Sequence, residues 1–174
     1  MPLPAHLREI IVPALIQEDD HSVKGRVVCP CGEDEIELMY PGQTHEYNGS
    51  LIPCTAMIDD KFFFLLRADC PKCNSQHLLF DADFHGWDGF ICHNKEQASL
   101  PRPPLFAWKC SSCGSTRHKV EMTVSGESIE EFEENAGEEF GIECWPESFG
   151  WVSVDVCCGN CQNVTTDLVS YETM

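Results

Sequence analysis

Eight of the twelve cysteines in this 174-residue chain fall into four close pairs, and the pairs divide into two similar halves. Cys29-Pro30-Cys31 is followed, 39 residues past Cys31, by Cys70-Pro71-Lys72-Cys73; Cys110-Ser111-Ser112-Cys113 is followed, 45 residues past Cys113, by Cys158-Gly159-Asn160-Cys161. A Cys-x-x-Cys turn sets two sulfurs on one side of an ion, and two such turns from distant segments complete a tetrahedral thiolate shell. The spacing predicts two metal sites: site one from Cys29, Cys31, Cys70 and Cys73, and site two from Cys110, Cys113, Cys158 and Cys161. The single residue between Cys29 and Cys31 makes that turn tighter, so site two is the firmer expectation. The residue after the second cysteine commonly needs a left-handed backbone, which suits Gly or Asn. Gly32, Asn74 and Gly114 hold that place, and only Gln162 departs.

The segments around the cysteines also recur. Residues 36–42 and 120–126 alternate apolar and polar side chains up to a turn, and residues 63–66 and 151–156 run into the second turn of each half, all as strands would. Each cysteine turn is expected on a hairpin tip. Residues 93–104 are polar and then rich in proline, which disfavours helix, and place a boundary near residue 100 between units 1–98 and 105–174. The insertions differ. In the second unit, Ser128-Ile129-Glu130-Glu131 fits a capping box, and Ile129, Phe132, Ala136 and Phe140 recur at helical spacing, so a helix is expected over about 128–140. Its outer face would carry Glu130, Glu131, Glu133, Glu134, Glu138 and Glu139. In the first unit, residues 45–60 contain Asn48-Gly49 and Pro53 and read as loop with a short strand. Near the N-terminus, Leu7, Ile10, Ile11, Ala14 and Leu15 suit a helical face, whereas Pro13 and Ile10-Ile11-Val12 favour strand.

Cys70-Pro71-Lys72-Cys73, Cys110-Ser111-Ser112-Cys113-Gly114 and Cys158-Gly159-Asn160-Cys161, with their flanking strands, resemble the zinc ribbon class, in which paired cysteine turns on two hairpins hold one structural ion. The resemblance covers about half of the chain and implies two Zn2+ ions in two zinc-ribbon-like units, giving a mostly β, small α+β fold with one acidic helix. Iron of the rubredoxin kind uses the same four thiolates. Of the other cysteines, Cys157 should point to the opposite strand face from Cys158 and serve as buried packing there, Cys54 and Cys144 read as core or free thiols, and Cys92-His93 with His85 offers a third site.

No stretch of residues 1–8 reads as a secretory signal and the longest strongly apolar run, residues 62–66, is far too short to span a bilayer. A cytoplasmic protein is expected, and in a reducing compartment close cysteine pairs favour metal over disulfides. The formal charge is −18, and two four-thiolate sites with divalent ions, each adding −2, would take it to about −22. Residues 120–174 carry thirteen acidic groups and no Lys, Arg or His. Such a surface argues against nucleic acid and for a basic protein partner. Closed four-cysteine shells lack the open position of catalytic zinc, and no phosphate loop, nucleophile elbow or His-Glu metalloprotease motif occurs, so an enzyme is not expected. The leading expectation is an acidic binding module, such as an immunity-type inhibitor of a basic toxin or nuclease. The alternatives are a thiol-based redox or metal sensor, and a nucleic-acid-binding or transcription and translation accessory protein using Lys61, Arg67, Lys72, Arg102, Lys109, Arg117 and Lys119 near Phe62, Trp87 and Trp108.

Overall fold

A computed structural model describes residues 1–14, 20–47, 50–58, 61–92, 102–136 and 138–173. The chain runs through β1 (Ile11–Pro13), β2 (Ser22–Val27), β3 (Ile36–Tyr40), β4 (Thr44–Tyr47), β5 (Ser50–Pro53), β6 (Ala56–Ile58), β7 (Lys61–Phe63), β8 (Leu65–Asp69), β9 (Gln76–Asp81), β10 (Phe106–Ala107), β11 (Arg117–Ser125), helix α1 (Ile129–Asn135), β12 (Trp151–Cys158) and β13 (Val164–Glu172). The fold is mostly β, as the alternating segments imply.

Strand β11 is the spine. One edge pairs with β12 from His118↔Cys158 to Ser125↔Trp151. Its other edge is shared by two first-half strands, β3 at Arg117 and His118 and β2 from Glu121 to Ser125. From there β1 extends β2, β8 and β9 extend β3, β10 also pairs with β3, and β13 closes the far side against β12, giving nine strands in one sheet. The alternation of β11 and β12 buries Val120, Met122 and Val124 against Val152, Val154 and Val156. Branched side chains suit such a half-buried pleated surface, and burying each is worth about 1.5–3 kcal/mol. Leu38, Leu66 and Phe80 join the same core from the first half. The boundary near residue 100 lies in 93–101, outside the described residues; strands from both sides of it share one sheet and one core.

Electrostatic contacts stitch the halves as well. Arg117 on β11 reaches Glu33 and Glu35, each at 3.5 Å, and Lys119 reaches Asp34 at 3.3 Å. Arg102 is inserted between Asp81 and Asp83, with its guanidinium over the Phe63 and Phe84 rings at 5.7 and 4.9 Å. Stacking adds to the ion pair because the aromatic faces are electron-rich.

Several local expectations need revision. Only the second turn of each half sits on a hairpin tip, between β8 and β9 and between β12 and β13. The first turns instead join strands that are not partners of one another: β2 and β3 lie end to end along β11, while β10 pairs with β3. Residues 45–60 form more than a loop, contributing to hairpins β4–β5 and β6–β7, with residues 48–49 and 59–60 outside the described residues. The N-terminal ambiguity resolves into both elements in miniature, a 3₁₀ turn at Ala5–Leu7 followed by β1 up to Pro13, with Leu7, Ile10 and Ile11 buried. Helix α1 has the expected capping box, Ser128 accepting from the Glu131 N–H and Glu131 accepting from the Ser128 N–H, but it stops at Asn135. Glutamates spaced three and four apart repel, and acidic groups near the helix C-terminus oppose its dipole, which explains the short helix. Phe132 anchors it at full burial.

Candidate metal centres

Each predicted quartet converges. The sulfurs of Cys29, Cys31, Cys70 and Cys73 all lie within 4.8 Å of one another, as do those of Cys110, Cys113, Cys158 and Cys161. In site one Cys29 is 3.5 Å from Cys73 and Cys31 is 3.6 Å from Cys70; in site two Cys110 is 3.6 Å from Cys161 and Cys113 is 3.5 Å from Cys158. A tetrahedron with metal–sulfur bonds of about 2.3 Å has edges of about 3.8 Å. Both clusters therefore have the size of a four-thiolate shell and could hold one metal ion each. In both, the first cysteine of one turn meets the second cysteine of the other, so the two sites share an approximate two-fold pattern.

Backbone geometry explains why four different turns converge on one arrangement. In each, the residue after the second cysteine donates its N–H to the first cysteine's carbonyl: Gly32 to Cys29, Asn74 to Cys70, Gly114 to Cys110 and Gln162 to Cys158, at 2.8–3.0 Å. The first cysteine in turn donates to the carbonyl of the residue one further on, at Glu33, Ser75, Ser115 and Asn163. The turn of site one keeps both bonds with one residue fewer inside them, so its brevity does not disable it. The residue after the second cysteine has positive φ in all four turns, +86° at Gly32, +60° at Asn74, +73° at Gly114 and +59° at Gln162. Gln162 thus departs in residue type only; its side chain secures the turn by donating to the Cys158 and Gly159 carbonyls at 3.2 and 3.1 Å.

The amides that follow each turn also serve the sulfurs. Hydrogen bonds from the Ser75 hydroxyl and then its amide pull the Cys73 thiol down to about 6, and the Ser115 amide followed by the Asn160 side chain does the same for Cys113. At Cys31 the Glu33 amide works in that direction, yet burial and bonding to Cys29, Cys70 and Cys73 push the thiol up to about 12. The Asn163 amide likewise favours the Cys161 thiolate, and contacts with the other three sulfurs push it up to about 12. Four adjacent sulfurs repel as thiolates, so the last proton is held tightly; a cation among them removes that penalty, and its binding releases protons. The donor set fits a thiophilic divalent ion.

Two side chains near site one carry no counterpart in the sequence expectations. Ser75 Oγ lies 3.0 Å from Cys73 Sγ and 3.3 Å from Cys29 Sγ, and His77 Nε2 lies 2.9 Å from that hydroxyl and 3.6 Å from Cys29 Sγ. No local signal marks them: Asn74 in the left-handed region breaks strand alternation between Cys73 and Ser75, and the turn and β9 together bring Ser75 and His77 to the sulfurs. In site two the corresponding residues past Cys161 are Asn163 and Thr165. His118 was also overlooked. It is fully buried opposite Cys158 on β12, with its ring 4.7 Å from Trp108, and burial lowers its pKa.

The remaining expected residues stay apart. Cys54, Cys144 and Cys157 are half-buried and Cys92 is exposed, and none joins a group of three metal donors among the described residues. Cys157 does face away from Cys158, as strand alternation requires, but it is not buried packing: Cys158 takes the core face and Cys157 is left half-buried on the other. His93 lies outside the described residues; His85 stacks on His6 with ring centroids 3.7 Å apart. Glu130, Glu131, Glu133, Glu134, Glu138 and Glu139 are all exposed, on the connection between the ends of β11 and β12 remote from site two. Among the described helices, none is long and apolar enough to cross a membrane. No family model, curated protein or solved structure matches the chain.

Proposed function

We propose that this chain is a non-enzymatic binding protein, clipped by two structural Zn2+ ions, whose acidic insertion engages a basic protein. The observation that carries the reading is the exposure of all six glutamates from Glu130 to Glu139 in a region where no Lys, Arg or His occurs between residues 120 and 174. Glu147 stands 4.0 Å from His6, whose burial disfavours its charged form, and the charge of His21 contributes to lowering the pKa of Glu131. A surface of one sign steers an oppositely charged partner and sets its register. An immunity-type inhibitor of a basic toxin or nuclease has this electrostatic character. Four thiolates around each ion leave no open position for substrate, which supports a structural role. Twelve free thiols suit a reducing compartment such as the cytoplasm.

The cations at or before Lys119 give little support to nucleic-acid binding, because Arg67, Arg102, Arg117 and Lys119 each face carboxylates. Screening lengths differ severalfold between about 50 mM and about 500 mM salt. A basic partner recovered by pull-down at the lower concentration should be lost at the higher, and recovery insensitive to salt would count against this interface. A redox or metal sensor is the second reading, favoured by exposure of Cys31, Cys73, Cys113 and Cys161. Thiol titration separates the two: eight thiols shielded until a chelator is added support structural sites, and ready reversible oxidation of the metal-loaded protein supports sensing.

A further inference from the structure

We propose that His77 is a reserve ligand of site one, hydrogen-bonded to the thiol cluster while four sulfurs hold the ion and able to supply the fourth donor when the exposed Cys73 thiolate is lost. The inference rests on site one being a metal site and is independent of any partner.

The geometry places the imidazole at the correct edge of the shell. For metal–nitrogen and metal–sulfur bonds of about 2.05 and about 2.3 Å, a tetrahedral nitrogen–sulfur edge is about 3.6 Å. His77 Nε2 stands 3.6 Å from Cys29 Sγ, with Ser75 Oγ between it and Cys73 at 2.9 and 3.0 Å respectively. Moving the ring toward the ion requires displacing the Ser75 hydroxyl. Cys73 is the ligand this arrangement backs up: of the two exposed ligands, Cys31 and Cys73, it is the one that Ser75 Oγ links to the ring, whereas Cys29 and Cys70 are buried. Neutral imidazole is a good ligand for the divalent ions that thiolates bind, and three cysteines with one histidine form a stable structural set. Exchange of Cys73 for His77 would change the charge of the zinc-loaded site from −2 to −1 without opening it to water. In site two Thr165 stands where His77 does and cannot replace a lost thiolate, and His118, across the ladder from Cys158, makes no hydrogen bond to a sulfur through either ring nitrogen, unlike His77.

This asymmetry supplies an internal control. The wild-type protein is first counted for zinc by native mass spectrometry; fewer than two ions would defeat the metal reading itself, before His77 is tested. Given two, the C73A variant should retain two ions per chain, whereas C161A and the double variant C73A/H77F should each retain one. Cobalt-loaded C73A should show weaker sulfur-to-metal charge transfer and a blue-shifted ligand-field band relative to wild type, as replacement of one thiolate by nitrogen requires. A C73A protein with one ion, or a C73A/H77F protein that keeps two, would overturn the assignment. To avoid dependence on the folding of variants, wild-type zinc protein can be lightly alkylated with iodoacetamide. Chains modified once at Cys73 should keep two ions and chains modified once at Cys161 only one; equal loss from both would also overturn it.

Discussion

Site one and site two are built on the same backbone frame yet hold different positions in the molecule. Site two gathers the start of β11 with the β12–β13 hairpin, elements that all belong to the second half. Site one fastens the β2–β3 join to the β8–β9 hairpin, and β2 and β3 lie along β11. The two sites also touch through their surroundings: the Gly159 amide donates to the Arg117 carbonyl, Arg117 reaches Glu33 and Glu35, and a side chain at Gly159 would collide with the Glu35 carboxylate. The difference teaches that equal coordination does not mean equal mechanical consequence. Losing site two opens one end of one hairpin, whereas losing site one frees the strands that dock the first half on the spine.

The largest effect should come from removing one buried ligand at each site. If both clusters hold zinc as proposed, C70S and C158S should each release one of the two ions and leave the other bound. Apparent binding energies of structural zinc reach about 10–16 kcal/mol in small peptides, and a loss of even 5 kcal/mol would lower the melting midpoint of a chain this size by about 10–20 °C. C70S should cost more than C158S because site one ties the halves together. Metal counting and thermal unfolding read both quantities. Release of both ions by either substitution would break the picture of two separate shells, and the reverse order of midpoints would break the mechanical argument.

A smaller loss is expected at Phe132, the buried anchor of the second half's insertion. Phe132→Ala removes a fully buried ring, a change that costs about 3–5 kcal/mol. Both ions should remain, because the insertion joins β11 and β12 at the ends remote from site two. If calorimetry shows the loss and mass spectrometry shows one ion, scaffold and insertion are coupled more closely than the strand layout implies.

How much of this was written in the sequence differs with the range of the interaction. The quartets were legible because each turn is a local motif, and the left-handed residue after it is a local demand. So was the capping box at Ser128 and Glu131. The shared sheet was not, since nothing local to residues 22–40 announces that β2 and β3 will both pair with β11, some eighty to one hundred residues later. Hairpin tips were overassigned for the same reason: a turn between two strands looks identical in sequence whether those strands pair with each other or with a third. Residues 45–60 were read as mainly loop because strands of three or four residues carry too few alternations to register. His77 was passed over because its significance depends on where Cys29 is, and that is set by the tertiary fold.

Acid should act at a more modest level, through buried imidazoles in both halves. His6 and His85 stack in the first half, and burial lowers His118 in the second. Burial, with His6 opposing charge on its neighbour, pulls His85 down to about 3; burial also lowers His6, against the Leu79 carbonyl and Glu147. The groups facing the pair include Asp81, whose amide donates to His85 Nδ1, and Glu147. Because the folded-state values lie below the unfolded value of 6.5, the unfolded chain takes up protons that the folded chain refuses. Stability should therefore fall as pH drops from 6.5 toward 3, by at most about 1.4 kcal/mol per pH unit for each ring. Acid also protonates thiolates, so the informative comparison is H85F against wild type between pH 6.5 and 5 at saturating zinc. Denaturant melts should give the variant the shallower slope; equal slopes would remove the stacked pair as a source of acid sensitivity.

The smallest effect tests the turns themselves, and the four φ values order it. Non-glycine residues in the left-handed region favour φ of about +50° to +70°. Asn74 at +60° and Gln162 at +59° lie inside that range, Gly114 at +73° lies at its margin, and Gly32 at +86° lies beyond it. Glycine therefore occurs where the angle requires it, and the most displaced angle belongs to the turn with one residue fewer, which must close the same two hydrogen bonds over a shorter path. A Cβ added at Gly32 or Gly114 would meet no heavy atom within 4 Å, so conformational strain alone sets the cost. G114A should destabilise by about 1 kcal/mol and G32A by about 2 kcal/mol. Chemical denaturation of the zinc-loaded proteins measures the difference directly. Equal costs would mean that the short turn relaxes toward ordinary left-handed geometry when glycine is removed, and a larger cost at Gly114 would contradict the ordering by angle.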